Sequence, residues 1–242
     1  MNDKILKLKE IVENSDNIVF FGGAGVSTES GIPDFRSAKG LYSETAGYDV
    51  PPETLLSHTY FRHNKDEFFR FYKQRILHLQ AEPNPAHIKL AELEKAGRLS
   101  AVITQNIDGL HQKAGSKNVI ELHGSIYRNN CMKCNKSYGV RHIAEADGAP
   151  LCECGGIVKP GVVLYEESLN HGDMARAIDY IEKADVLIIG GTSLVVYPAA
   201  GLVKYYRGKK LVIINKTETD SDHLAQLTIR SGIGEVMRGV VV

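Results

Sequence analysis

Ile18-Val19-Phe20-Phe21-Gly22-Gly23-Ala24-Gly25-Val26-Ser27-Thr28 is the stretch on which the fold turns. Four consecutive apolar residues read as a short strand buried on both faces, and glycines follow it at once. A strand that runs straight into a glycine turn can bring backbone N–H groups up to a phosphate. Gly23-x-Gly25 supplies the first half of a dinucleotide fingerprint, but Thr28 stands where its third glycine or alanine belongs. On its own the loop is a weak signal, because a glycine turn between a strand and a helix is often only a turn.

Outward from this stretch the pattern repeats. Ile5, Leu8, Ile11 and Val12 recur at helical spacing upstream. Ala101–Thr104, Val119–Leu122, Val186–Ile189 and Leu211–Ile214 are further apolar strands downstream. Leu90, Leu93 and Glu94 belong to a helix that Gly97 ends, and Ala177, Ile178 and Ile181 form another helical face. Pro198 suits the first turn of a helix running toward Arg207. Apolar strands alternating with amphipathic helices predict an α/β fold with a Rossmann-like doubly wound parallel sheet. Two stretches break the rhythm: Leu41 to Gln80 is helical and aromatic-rich, and Tyr127 to Lys159 carries cysteines and glycines without a period. The expected organisation is a single domain whose large lobe comprises 1-38, 81-125 and 161-242. The smaller lobe then comprises a helical insert, 39-80, and a ribbon, 126-160.

A chain of 242 residues fits one large domain carrying such inserts. Lys+Arg and Asp+Glu both number 29, so the chain lacks the basic excess of a free-standing nucleic-acid binder. Met1 to Val12 opens on charged residues and does not read as a signal peptide. The apolar runs are strand-sized, far below the ~20 residues that span a bilayer. A soluble cytoplasmic protein is expected, with neither nucleic acid nor membrane as a direct partner.

All four cysteines fall in one window, as Cys131-x-x-Cys134 and Cys152-x-Cys154. Two short knuckles of this kind set four thiolates around one structural zinc ion. With no histidine in the set and every position filled, the metal is expected to be structural rather than catalytic. The alternative is a pair of disulfides or scattered free thiols, which an intracellular chain disfavours. The second pair is one residue tighter than the usual spacing.

The glycine loop continues as Ser30-Gly31-Ile32-Pro33-Asp34-Phe35-Arg36, which stops any helix and sets an acid, an aromatic and a cation in a loop. Further blocks follow: Thr104-Gln105-Asn106-Ile107-Asp108-Gly109-Leu110-His111, Leu122-His123-Gly124, Lys159-Pro160-x-Val162-Val163, Gly191-Thr192-Ser193-Leu194 and Ile214-Asn215. In this order, and with the four cysteines, they resemble the sirtuin family almost end to end. Gly22, Gly161 and the tight second cysteine pair are the departures.

The resemblance implies an NAD-consuming lysine deacylase that moves an acyl group from an acylated protein or peptide lysine to ADP-ribose and releases nicotinamide. It implies that Asp108 and Ile107 hold the carboxamide of NAD and that Phe35 walls off the ring. Gln105 and Asn106 then bond ribose and carboxamide. Gly23, Ala24, Gly25, Thr28, Asp34 and Arg36 lie toward the pyrophosphate and its ribose, while Gly191, Thr192, Ser193, Asn215, Lys216 and Ile233 take the adenosine half. Catalysis falls to His123 as general base, assisted by Asn106 and Asp108, whereas His87 and His111 are expected to be structural. Val162, Val163 and Leu164 pair with an extended substrate opposite Val195, although a core strand reads as well there. Tyr72 and Arg75, three residues apart in the helical insert, resemble the Tyr-x-x-Arg of sirtuins that remove succinyl or malonyl groups. The rival readings are an NAD glycohydrolase or mono-ADP-ribosyltransferase on the same fold, a non-catalytic NAD-sensing module and, weakest, a dehydrogenase.

Overall fold

The computed structural model describes residues 2–35, 40–41, 48 and 50–240, so Arg36 lies outside the described residues. In chain order the strands are β1 (Ile18–Gly22), β2 (Leu99–Thr104), β3 (Val119–Glu121), β4 (Gly124–Cys131), β5 (Ser137–Tyr138), β6 (Val158–Val162), β7 (Val186–Gly190), β8 (Lys210–Ile214) and β9 (Leu227–Ile229). Six of them form one sheet in the order β3-β2-β1-β7-β8-β9, and every neighbouring pair is parallel. Counted along the chain this is the 3-2-1-4-5-6 order of a doubly wound fold, whose strand order reverses between β1 and β7.

Alternate side chains of β1 feed two cores. Ile18 and Phe20 pack with Leu8 and Val12 of the helix Asn2–Glu13 and with Leu90 and Leu93 of the helix Pro85–Lys95. Val19 and Phe21 pack on the other face with Ala177 and Ile181 of the helix His171–Lys183. A strand covered on both faces needs apolar side chains at every position, which is why β1 and β7 read as unbroken apolar runs. Pro198 precedes a 3-10 helix, Ala199–Tyr205, rather than an α-helix.

A third core lies apart from the sheet. Phe61, Phe68, Phe69, Phe71 and Tyr72 of the helical insert pack with Ile126, Ile143 and Val158 of the ribbon. Phe68 meets Phe61 and Phe69 edge-on at 5.0 and 5.2 Å and stacks on Tyr72 at 5.7 Å. Val162 and Leu164 also pack in this third core, beyond the expected boundary at 160. The remaining sheet, β5-β4-β6, is antiparallel and carries the ribbon. No helix among the described residues is long and apolar enough to cross a membrane.

Candidate active site

The reversal between β1 and β7 opens a cleft of about 470 Å³ beyond the C-terminal ends of the strands, where doubly wound folds bind ligands. Its floor is made by two glycine turns in contact. A Cβ on Gly25 would stand 2.7 Å from the Gly191 Cα, and one on Gly23 would stand 2.8 Å from Cβ of Thr192. Only glycine lets these backbones approach so closely, and the Gly25 N–H donates to the Gly191 carbonyl at 2.8 Å.

Two 3-10 turns, Ala24–Val26 and Thr28–Ser30, follow Gly23 in place of the longer helix that a dinucleotide fingerprint opens. Gly31 takes φ +83 and ends the second turn, and Pro33 prevents its resumption. The Thr28 hydroxyl is turned back onto the Gly25 carbonyl at 3.0 Å. Ala24, Gly25, Asp34 and Phe35 line the cleft.

The chain after β2 carries the polar centre. Asp108 accepts the Ser27 hydroxyl at 2.7 Å through one carboxylate oxygen and the Leu110 N–H at 2.9 Å through the other. Asn106 donates its side-chain amide to the same Ser27 oxygen at 3.0 Å. The Gln105 amide bonds the Thr192 hydroxyl at 3.1 Å, tying the β2 loop to the β7 loop. Ser27 thus clamps Asn106 and Asp108 from nearly a third of the chain away, so no local pattern marks its role.

His123 lies at the end of β3, where the chain turns through Gly124 at φ +77 into β4. Its Nδ1 is 2.9 Å from the Gln105 carbonyl. A carbonyl can only accept, so Nδ1 carries the proton and Nε2 keeps its lone pair. Burial lowers the imidazole pKa, partly opposed by that carbonyl. The ring is therefore a neutral acceptor at neutral pH, as a general base must be. His87 and His111 are instead fully buried, with rings 4.7 Å apart. Burial pushes His87 down to about 4 against the pull of Asp108, and His111 well down too. His87 Nδ1 accepts the Asn84 N–H and helps cap the helix Pro85–Lys95, a structural task.

Gln105, Asn106, Ile107, Asp108, His123, Gly191, Thr192, Ser193 and Asn215 all line the cleft. Gly23 lies beneath it, Lys216 is exposed beside it, and the Ile233 side chain is buried in the core against Gly190. Val162, Val163 and Leu164 line the cleft too, but their segment is largely committed. The Val163 N–H donates to the His123 carbonyl at 2.8 Å and the Leu164 N–H to Glu167 at 2.9 Å. On the other wall Val196 and Tyr197 line the cleft, whereas Val195 is 49 % exposed. Tyr72 and Arg75 both line it from a π-helical turn, Tyr72–Ile76. Glu166, Glu167, His78 and Thr217 also line it, and nothing in the sequence singles them out.

The four cysteines meet at one point. Their sulfurs all lie within 4.8 Å of one another, with Cys131 to Cys154 and Cys134 to Cys152 each 3.5 Å. No disulfide joins them. A tetrahedral Zn–thiolate site has sulfur–sulfur edges of roughly 3.8 Å, so the set fits the ion. The Lys133 N–H and the Tyr138 hydroxyl point at Cys131 and Cys152 at 3.3 and 3.1 Å, donors suited to thiolates.

A doubly wound sheet with glycine turns at its switch point, a histidine acceptor beside them and a four-thiolate ribbon defines a dinucleotide-using enzyme with a structural metal. Residues 23–198 match the Sir2 family, and the chain belongs to it. It is 60 % identical to the NAD-dependent protein deacetylase of Clostridium perfringens over the whole of both chains. It is 46 % identical to that of Staphylococcus epidermidis over 98 % of this chain and 96 % of the relative. The solved structure Sir2-p53 peptide-NAD+ superposes with a TM-score of 0.84 at 41 % identity, covering 96 % of this chain and 95 % of that one. Sir2Tm bound to a propionylated peptide superposes at 0.85 with 40 % identity, over 97 % and 96 %.

Proposed function

We propose that this protein is an NAD-dependent lysine deacetylase, with NAD as co-substrate and one structural zinc ion held by Cys131, Cys134, Cys152 and Cys154. Acyl-lysine, NAD and one water become lysine, nicotinamide and an acyl ester of ADP-ribose. The observation that carries this reading is His123, neutral and with Nε2 free of hydrogen bonds among the described residues, beside Asn106 and Asp108 in one cleft. NAD supplies the glycosidic bond to nicotinamide whose cleavage drives the transfer. Asp108, fixed by Ser27 and Leu110, accepts the carboxamide N–H, and Phe35 keeps water off the sugar carbon that loses nicotinamide. His123 takes a proton at Nε2 from a ribose hydroxyl, which makes that oxygen the acyl acceptor. A glycohydrolase would have no acyl-transfer step for such a base. The remaining assigned residues, Arg36, Lys216 and Ile233 among them, keep their places in this reading through the family pattern. Two lobes, a cytoplasmic location, and no direct nucleic-acid or membrane partner complete it; four unbridged thiols suit that compartment.

A second activity, removal of acidic acyl groups, is favoured by Tyr72 and Arg75. Both line this cleft, and the Tyr72 hydroxyl is buried with no hydrogen-bond partner among the described residues. A phenol and a guanidinium there can hold a carboxylate. Acetyl- and succinyl-lysine peptides incubated with and without NAD test both readings. Both are expected to lose their acyl group only with NAD, and Arg75→Met is expected to slow desuccinylation about tenfold or more relative to deacetylation. Deacylation without NAD contradicts the first reading; equal losses in Arg75→Met contradict the second.

A further inference from the structure

Glu166 lines the same cleft as His123 and is exposed at its rim. It takes φ +74, left-handed backbone that glycine adopts without strain and a glutamate does not. The turn itself therefore does not call for a carboxylate. The segment around it is pinned: the Tyr165 N–H donates to the Leu56 carbonyl at 3.0 Å, and the His58 N–H to the Tyr165 carbonyl at 2.9 Å. Neighbouring Glu167 is engaged from two sides, by a hydrogen bond with His58 at 2.9 Å and an ion pair with Lys159 at 3.0 Å.

Glu166 makes no ion pair among the described residues. Its Oε2 accepts the Thr59 N–H at 2.9 Å, and bonding to Thr59 holds the carboxyl below its usual range. Its own N–H and its own carbonyl take no hydrogen bond within the described residues. The N–H groups of Val163, Leu164 and Tyr165 are all taken, so among the described residues the N–H of Glu166 is the first past β6 left open to an extended chain. Tyr197, 68 % exposed, lines the same cleft.

Resting on the deacylase reading above, we propose that Glu166 is a specificity residue that selects acyl-lysine substrates with a basic side chain beside the modified lysine. The carboxylate, fixed by Thr59 and unneutralised, attracts a lysine or arginine and repels an acidic flank, mainly by adjusting KM. The same carboxylate also caps the first turn of the helix His58–His63, a purely structural role that has to be separated from recognition. Glu166→Gln separates them, because its amide oxygen still accepts from Thr59 while the charge is gone.

The test is kcat/KM with NAD for acetyl-lysine peptides identical except for Arg, Ala or Glu beside the acetyl-lysine, at low and physiological salt. The wild type is expected to favour the Arg over the Glu peptide about fivefold at low salt, less at physiological salt. Glu166→Gln is expected to bring that ratio close to one. An unchanged ratio in Glu166→Gln, or a flat wild-type profile with all peptides turned over, overturns the role of Glu166 alone. No turnover of any peptide overturns the deacylase reading, and this inference with it.

Discussion

Phe20 of β1 and Cys131 at the end of β4 are both buried, at 0 and 2 % exposure, yet different forces hold them. Phe20 sits in a core fed by three helices, and Ile18, Val19 and Phe21 beside it are equally buried. Each such side chain contributes about 2 kcal/mol by leaving water. Around Cys131 the chain is thinly covered: Met132 is 56 % exposed, Leu151 is 59 % exposed and Cys134 faces solvent. So little apolar surface cannot order the tip of the ribbon. Four sulfurs converging on one point can, if an ion joins them. One region is thus held by burial spread over many residues, and the other by a single centre.

That difference is sharpest when the centre is removed. Chelation, or Cys131→Ala, is expected to cost more than any single truncation in the parallel sheet. A structural zinc site contributes about 10–16 kcal/mol, as much as a whole domain's net stability. Because Cys131 and Cys152 belong to the core shared with the phenylalanines of the helical insert, the loss should spread there. The expected result is a lowered melting temperature with aggregation, and one equivalent of zinc in the folded protein. A metal-free protein that melts and turns over as the native one does would break the comparison.

Acid should act on the sheet side of the molecule instead. His87 is fully buried with its pKa lowered from 6.5 to about 4, so the folded state binds its proton later than the unfolded chain does. Stability is then intact above pH 6.5 and falls as the pH drops from 6.5 toward 4. From His87 alone the loss at pH 5 is on the order of 2 kcal/mol, and His111 adds to it in the same direction. Urea midpoints measured at pH 7 and pH 5 check this, and His87→Gln should shrink the difference to the share of His111. A profile level across that range would mean the pair is not kept neutral.

The same contrast governs what could be read from the sequence. Strands buried on both faces announce themselves as apolar runs, so β1, β2, β7 and β8 are legible residue by residue. Four cysteines in one window are legible because a metal needs few ligand types at short spacing. The 3-10 turns after Gly23 are not, since a strand followed by glycines usually leads into a longer helix and only the folded backbone shows where it stops. Nor is the grip of Ser27 on Asp108, which depends on two loops meeting across the sheet's switch point. Val163 and Leu164 read equally as substrate edge or core strand, and their amides prove to be bonded within the chain. Glu166 escapes notice for the same reason: its backbone angle and the bond of its carboxylate to Thr59 are properties of the fold.

The proposed chemistry depends on His123 as the base that makes a ribose oxygen the acceptor of the acyl group. Mass spectrometry of the small molecules formed from NAD and an acetyl-lysine peptide, by wild type and by His123→Ala, tests that claim most directly. The wild type is expected to yield nicotinamide, deacetylated peptide and acetylated ADP-ribose in equal amounts. His123→Ala is expected to keep its fold and bind NAD while forming the acetylated product roughly 10²–10⁴ times more slowly. Free ADP-ribose beside an untouched peptide, or undiminished deacetylation by His123→Ala, would contradict it.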